Sequence, residues 1–171
     1  NNNLILNYDS LSYSGNVGNL SAIENGESYS FINGDICDKN LLKTAILNFK
    51  PDIVVHFAAE SHVDRSIDSS DIFIESNILG TYNLLNCFRK YWVENNKPDY
   101  WRFLQVSTDE VFGSLNPNDD RFTESSLYQP RSPYSATKAS SDHLVNSWNH
   151  TYGLPTLITN CSNNYGPFQF P

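Results

Sequence analysis

The sequence predicts an α/β fold with a doubly wound, Rossmann-like parallel sheet, and three observations carry that expectation. Short apolar runs of strand length alternate with segments of helical periodicity along the chain. One run, Ile53-Val54-Val55-His56-Phe57, is apolar almost throughout, as expected of a strand covered on both faces. Chemically rich residues stand directly after the strands, where open parallel sheets bind ligands.

Leu4-Ile5-Leu6 followed by Asn7-Tyr8-Asp9 reads as a short strand ending in an acid, and Ser28 to Ile32 as a second, closing on Gly34-Asp35. Asp38 can cap the helix that follows, because a carboxylate accepts from the free N–H groups of a first turn. Leu41, Leu42, Ala45, Ile46 and Phe49 repeat at helical spacing in it, and Pro51 stops it. After the Ile53 strand comes a polar loop, Ala58 to Asp68. Ser70 opens a long helix to about Asn95 with Ile74, Ile78, Thr81, Leu85, Phe88 and Trp92 on one side. Phe103-Leu104-Gln105-Val106 is the next strand, and Gly113 to Ser132, with Pro117, Asn118, Asp119, Asp120 and Pro130, is a surface loop. Ser132-Pro133 supplies a cap and a proline at the first helical position, and the helix runs to about Tyr152 before Gly153 and Pro155. Thr156 to Thr159 is the last strand.

With 171 residues, 39% of them apolar, the chain is long enough for one globular domain with a real core. A formal charge of −8 and no basic stretch argue against nucleic acid and anionic membrane surfaces, so a small-molecule partner is expected. No apolar run approaches the roughly 20 residues of a membrane span, and Asn1-Asn2-Asn3 does not open a signal peptide, which points to the cytoplasm. Cys37, Cys87 and Cys161 are odd in number and lack metal-ligand spacing, so they read as reduced core thiols, and metal binding has no support.

Four strand ends carry the chemistry: Asp9, then Ala58-Ala59-Glu60-Ser61, then Ser107-Thr108-Asp109-Glu110, then Asn160 to Asn164. Asp9 stands where a dinucleotide fold places the acid that accepts from the adenosine ribose, although an acid after a strand is more often a turn former, and Asp35 shares that ambiguity. Tyr134 and Lys138 are one helical turn apart on one face, a spacing in which an ammonium and a cationic ring favour the phenolate. Asp109 and Glu110 put two carboxylates at the ligand edge, one able to donate a proton while the other accepts one. Either pair alone would read as an exposed helix pair or a solvated acidic turn. Their common edge favours a site. His56, His62, His143 and His150 read as structural, because none stands beside a nucleophile.

Four runs together resemble the sugar-nucleotide 4,6-dehydratases of the extended short-chain dehydrogenase family, most closely those acting on dTDP-glucose. They are Ala58 to Ile67, Ser107 to Gly113, Tyr134 to Ala139 and Asn160 to Pro167. Tyr-x-x-x-Lys is shared across the superfamily, whereas Thr-Asp-Glu is specific to glucose-nucleotide dehydratases, and the Asn160 run looks more like the dTDP enzymes than their UDP-glucose relatives. The resemblance implies a lyase that uses NAD, with Thr108, Asp109, Glu110, Tyr134 and Lys138 as catalytic residues. It implies cofactor contacts at Asp9, Ser10, Leu11, Ser12, Asp35, Ile36, Phe57, Ala58, Ala59, Glu60, Ser61, Ser76, Tyr134, Lys138 and Asn164, and substrate contacts at Ser61, Thr108 and Asn163. Ser10 stands where the family usually has Lys, and Phe112 where it usually has Tyr. A homodimer through the two long helices is also implied.

By the same resemblance, residues 1–171 form a partial NAD-binding domain, with the substrate-binding region starting near 160–171. The family's first strand, with its glycine-rich turn, and its C-terminal substrate domain are expected to lie outside it. Because that strand is central in the 3-2-1-4-5-6 order, the remainder is expected to divide into two pieces with unpaired edges. The 171-residue chain alone is therefore expected not to turn over substrate. A UDP-glucose enzyme and a non-catalytic binding module are the alternatives.

Overall fold

The computed structural model describes residues 3–169. Asn1, Asn2, Phe170 and Pro171, with the extremes of the opening Asn run and of the expected substrate region, lie outside them. Strands β1 (Ile5–Asp9) and β2 (Tyr29–Asn33) pair in parallel, Ile5 opposite Tyr29 and Asp9 opposite Asn33. Strands β3 (Ile53–His56), β4 (Arg102–Thr108) and β5 (Thr156–Cys161) form a second parallel sheet in the order β3-β4-β5. The sheet is thus in two pieces, as expected.

One helical layer unites them. Helix α1 (Lys39–Phe49) contributes Leu42 and Ile46, α4 (Thr81–Glu94) Leu84, Leu85, Phe88 and Trp92, and α5 (Pro133–Tyr152) Val145 to a single buried cluster with Phe103. Tyr8 of β1, Val54 of β3 and Ile158 of β5 all pack against it. The ends of these helices follow the local sequence. Asp38 accepts from the N–H groups of Asn40 and Leu41 at 3.1 and 3.0 Å, and Ser132 forms a capping box with Ser135 ahead of α5. Gly153 closes α5 at φ 71°, a left-handed conformation that glycine adopts without strain.

Four local expectations are corrected. Strand β3 is covered on one face only: Val54 and His56 meet the helices, whereas Ile53 is 59% exposed and Val55 is exposed too. Helices α1, α4 and α5 occupy the same side, and a two-residue period leaves alternate side chains on the other. The polar loop contains a short helix, α2 (Val63–Asp68), whose buried Ser66 hydroxyl accepts from the Tyr134 N–H at 3.2 Å. That tertiary contact is invisible in the local pattern. The helix opened by Ser70 is composite: a single turn α3 (Asp71–Phe73), a π-helical stretch Ile74–Gly80, then α4. Asn77 faces inward in it, and Ile74, expected on the apolar stripe, is exposed.

The fourth correction concerns the cysteines, which are free, as expected, but half-buried, Cys87 packing against the edge of the buried cluster. Burial, reinforced by Asp35, pushes the Cys37 thiol up to about 12, and burial also raises Cys87. Because the thiolate is the reactive form, both should resist iodoacetamide at neutral pH while free cysteine is fully alkylated. Mass spectrometry of the native protein checks this, and rapid labelling at either position would contradict it. No helix among the described residues is long and apolar enough to cross a membrane.

Candidate active site

The carboxyl end of β4 turns directly into a 3-10 segment, Asp109–Phe112, capped by Thr108, whose hydroxyl accepts from the Glu110 N–H at 3.2 Å. Val111 and Phe112 anchor this turn against Ala139 of α5, with Phe122 and Tyr128 packed beside them. The apolar anchor holds the two carboxylates at the sheet edge. Gly113 leaves the turn at φ 103°, and a Cβ there would lie 2.9 Å from the Gln129 carbonyl oxygen, so both conformation and space require glycine.

Tyr134 lies in the first turn of α5, buried, with its ring edge-on to Phe73 at 6.5 Å between centroids. The Thr108 side chain hydrogen-bonds the phenol, and the charges of Glu110 and Asp109 act on it. One turn on, Lys138 sends Nζ to the Val106 carbonyl of β4 at 2.8 Å. The phenol, the threonine and the paired acids therefore meet at one place, while the amine one turn on is held by the strand backbone. The tuning differs from the expectation. Burial first, and then Glu110, push the Tyr134 phenol up to about 12, with only the Thr108 hydrogen bond opposing them. Lys138 is turned toward the strand backbone, and the charges reaching the phenol are carboxylates. Burial lowers the pKa of Lys138 itself, and burial together with Asp109 raises that of Glu110. A carboxylate with a raised pKa is a stronger base than an ordinary one.

Asn77, which the sequence reading missed, holds the loop after β3. Only 1% exposed, it accepts from the Glu60 N–H at 2.8 Å and donates to the Glu60 carbonyl and the Thr137 hydroxyl, both at 2.9 Å. Its signal was available: Asn77 lies four residues from both Phe73 and Thr81, a polar residue amid an apolar stripe. Asp142 was missed as well, one turn beyond Lys138, where it accepts from Ser107 at 2.7 Å and Tyr128 at 3.1 Å. His56 is structural, as read: burial lowers its pKa to about 3, and Nε2 lies 2.9 Å from the Thr81 hydroxyl.

Asp9 and Asp35 lie exposed at the same end of the β1–β2 sheet. Each carboxylate accepts from the N–H two residues on, Leu11 at 2.7 Å and Cys37 at 2.8 Å, so the turn-forming role is real for both. Leu11 is held at φ 51°, and Ser10 and Ser12 beside it are exposed. Ile36 is buried and Phe57 is 72% exposed, while Ala58, Ala59, Glu60 and Ser76 are half-buried. Ser61, Asn163 and Asn164 are exposed, so their side chains stay outside the buried cluster. A dinucleotide fits this donor set: acids at one end suit ribose hydroxyls, and a phenol and an amine stand at the other. Among the described residues, the buried Oε2 of Glu60 has no hydrogen-bond partner, which leaves an acceptor available on the loop between those ends.

A family model described as GDP-mannose 4,6 dehydratase matches residues 2–171. The chain belongs to that family. Two curated relatives are named dTDP-glucose 4,6-dehydratase: one from Neisseria meningitidis, 52% identical over 169 residues, and one from Escherichia coli, 51% identical over 178. Each match covers 98% of this chain and 48% or 49% of the relative, so the chain spans about half the length of these dehydratases. The dTDP-glucose 4,6-dehydratase DesIV from Streptomyces venezuelae, solved with NAD and TDP bound, superposes with a TM-score of 0.90 at 43% identity. That superposition covers 100% of this chain and 50% of DesIV. UDP-glucose 4-epimerase from Thermus thermophilus, solved with NAD, gives 0.84 at 31% identity, covering 97% and 49%. The Rossmann-like parallel fold is therefore shared across dehydratases and epimerases of this group.

Proposed function

We propose that the full-length gene product is an NAD-dependent dTDP-glucose 4,6-dehydratase, a hydro-lyase that yields the 4-keto-6-deoxy sugar nucleotide and water. The observation that carries this reading is the convergence of the Tyr134 phenol with Thr108, Glu110 and Asp109 at the end of β4. An epimerase needs a proton acceptor at the sugar hydroxyl. A dehydratase also needs a base and an acid at adjacent carbons, and adjacent carboxylates provide both.

NAD would lie across the carboxyl ends of the strands and supply the hydride acceptor at C4 and the hydride donor at C6. Asp9, Ser10, Leu11, Ser12, Asp35 and Ile36 would contact its adenosine end, and Phe57 to Ser61, Ser76, Lys138 and Asn164 the remainder. Tyr134 accepts the proton of the sugar 4-hydroxyl, and Thr108 hydrogen-bonds the 4-oxygen. The 4-ketone acidifies the C5 proton, which Glu110 removes, while Asp109 protonates the departing C6 hydroxyl so that it leaves as water, and Glu110 would return its proton to C5 when C6 is reduced. Ser61 and Asn163 contact the substrate. The protein acts in the cytoplasm as a homodimer on a small-molecule substrate, with no nucleic-acid or membrane partner.

The deciding experiment is a side-by-side assay of the full-length gene product with dTDP-glucose and UDP-glucose. Formation of the 4-keto-6-deoxy product from dTDP-glucose supports the reading, and preference for UDP-glucose or inactivity with both overturns it. The base has its own test. Glu110→Gln should abolish exchange of the C5 hydrogen with deuterated solvent, followed by mass spectrometry of the sugar. A pH dependence follows from the paired acids. Glu110 must be ionised to accept a proton, so the rate falls as pH drops through its raised pKa. Asp109 contributes to that elevation, so Asp109→Asn should move the acidic limb of the remaining C5 exchange toward lower pH. An unmoved limb would show that Glu110 is not the titrating base.

A further inference from the structure

We infer that Asp142 is a positioning residue for Lys138: a buried carboxylate one helical turn further along α5 that serves as its counter-charge. The inference rests on the dehydratase reading for its catalytic meaning and on the geometry of α5 for its physical content. Tyr134, Lys138 and Asp142 recur every four residues along α5, so the three side chains line one face of the helix. Asp142 is 0% exposed. A carboxylate is costly to bury unless partners stabilise it, and this one has partners from three other segments. The Ser107 hydroxyl of β4 donates to Oδ2 at 2.7 Å, and the Tyr128 hydroxyl, from the loop before α5, donates to the same oxygen at 3.1 Å. Burial raises the pKa of Asp142, and the Ser107 and Tyr128 hydrogen bonds, the Lys138 charge and Asn160 of β5 oppose that rise, while its Oδ1 has no hydrogen-bond partner among the described residues.

Such a cluster costs more than an apolar core of equal volume, so packing alone does not account for it. Its location does. Lys138 is itself buried, and burial depresses an ammonium pKa. Its Nζ donates to the neutral Val106 carbonyl, and the charge opposing the depression is that of Asp142. The other titratable groups around the pair act elsewhere or the other way. Glu110 and Asp109, after β4, act on Tyr134, as does Asp142 itself, and His56 of β3 is held neutral by burial, with Lys138 opposing its protonation. Tyr128 is pushed up to about 12, largely by burial and next by Asp142, so it stays a neutral donor at physiological pH, and the His143 ring packs against it at 38° with centroids 5.0 Å apart. Without Asp142, Lys138 would be a buried ammonium with no counter-charge on its own helix face.

The test uses the full-length gene product labelled with 15N-lysine, in which the Lys138 Nζ signal is identified by its loss in Lys138→Arg. Asp142→Asn is nearly isosteric, and its amide oxygen can still accept from Ser107 and Tyr128, so the hydrogen bonds survive while the charge goes. The Lys138 titration midpoint should fall by about one pH unit in Asp142→Asn, the low end of what a nearby opposite charge contributes. An unchanged midpoint in a folded variant overturns the inference and leaves Asp142 a packing residue. Should the variant fail to fold, 13C titration of the Asp142 carboxyl in the unmodified protein decides, because a carboxyl still protonated at pH 7 carries no counter-charge. The midpoint is read without turnover, so an inactive wild-type protein would sink the dehydratase reading alone.

Discussion

Tyr134→Phe is expected to lower the dehydratase kcat by at least about a hundredfold, the smaller end of what a positioned proton acceptor contributes. The substitution removes one oxygen from a ring that otherwise keeps its edge-on contact with Phe73 and its place in the first turn of α5. The Ser66 contact is made by the backbone N–H and is untouched. Stability should therefore change by only about 1 kcal/mol, the net value of a single hydroxyl hydrogen bond. The structure adds a condition. With the phenol pushed up to about 12 by burial and carboxylates, Tyr134 is protonated at neutral pH unless a positive charge is placed beside it. Bound NAD+, with its cationic nicotinamide ring, has that property. Binding of NAD+ should thus lower the Tyr134 pKa and NADH should not, a difference readable in the ultraviolet absorbance of the phenolate in wild type but not in Tyr134→Phe. Activity within about tenfold of wild type in Tyr134→Phe would remove the residue from the mechanism.

Asn77→Ala should be the most destabilising single substitution around the site, by about 3 kcal/mol in urea denaturation. The side chain satisfies both backbone groups of Glu60 and reaches Thr137 of α5, at distances of 2.8 to 2.9 Å. Truncation leaves those groups without their partner, at a cost of about 1–3 kcal/mol for each buried polar group left unmade. The loop Ala58–Ser61 is tethered to the long helix through these bonds, so NAD affinity should fall together with stability. A loss under about 1 kcal/mol with unchanged NAD affinity would show that the tether is dispensable.

Much of this molecule was legible in its sequence because the signals were local. Asp38, Ser132, Pro133 and Gly153 mark helix ends through groups one to three residues away, and those ends lie where they were expected. Tyr134 and Lys138 share a face because helical spacing demands it, and Asp109 and Glu110 sit at the ligand edge because they follow a strand directly. The division of the sheet was legible from strand order. What was missed depends on partners far along the chain. Helix α2 is tied to the start of α5 through Ser66, and the exposed face of β3 follows from three helices choosing one side. Asn77 serves Glu60 and Thr137, 17 and 60 residues away.

By itself the sequence determined the parallel α/β class, the order of the elements and the residues that stand at the carboxyl ends of the strands, since each follows from periodicity, capping and strand-end position. The tertiary structure alone decided the electrostatics. Burial and neighbouring carboxylates, rather than the ammonium one turn away, set the state of Tyr134, and Lys138 faces Val106 with Asp142 behind it. The physical reason is range: a hydrogen-bond donor or a helical face is specified within a turn of chain, whereas desolvation and charge depend on every group that folding brings within a few ångströms.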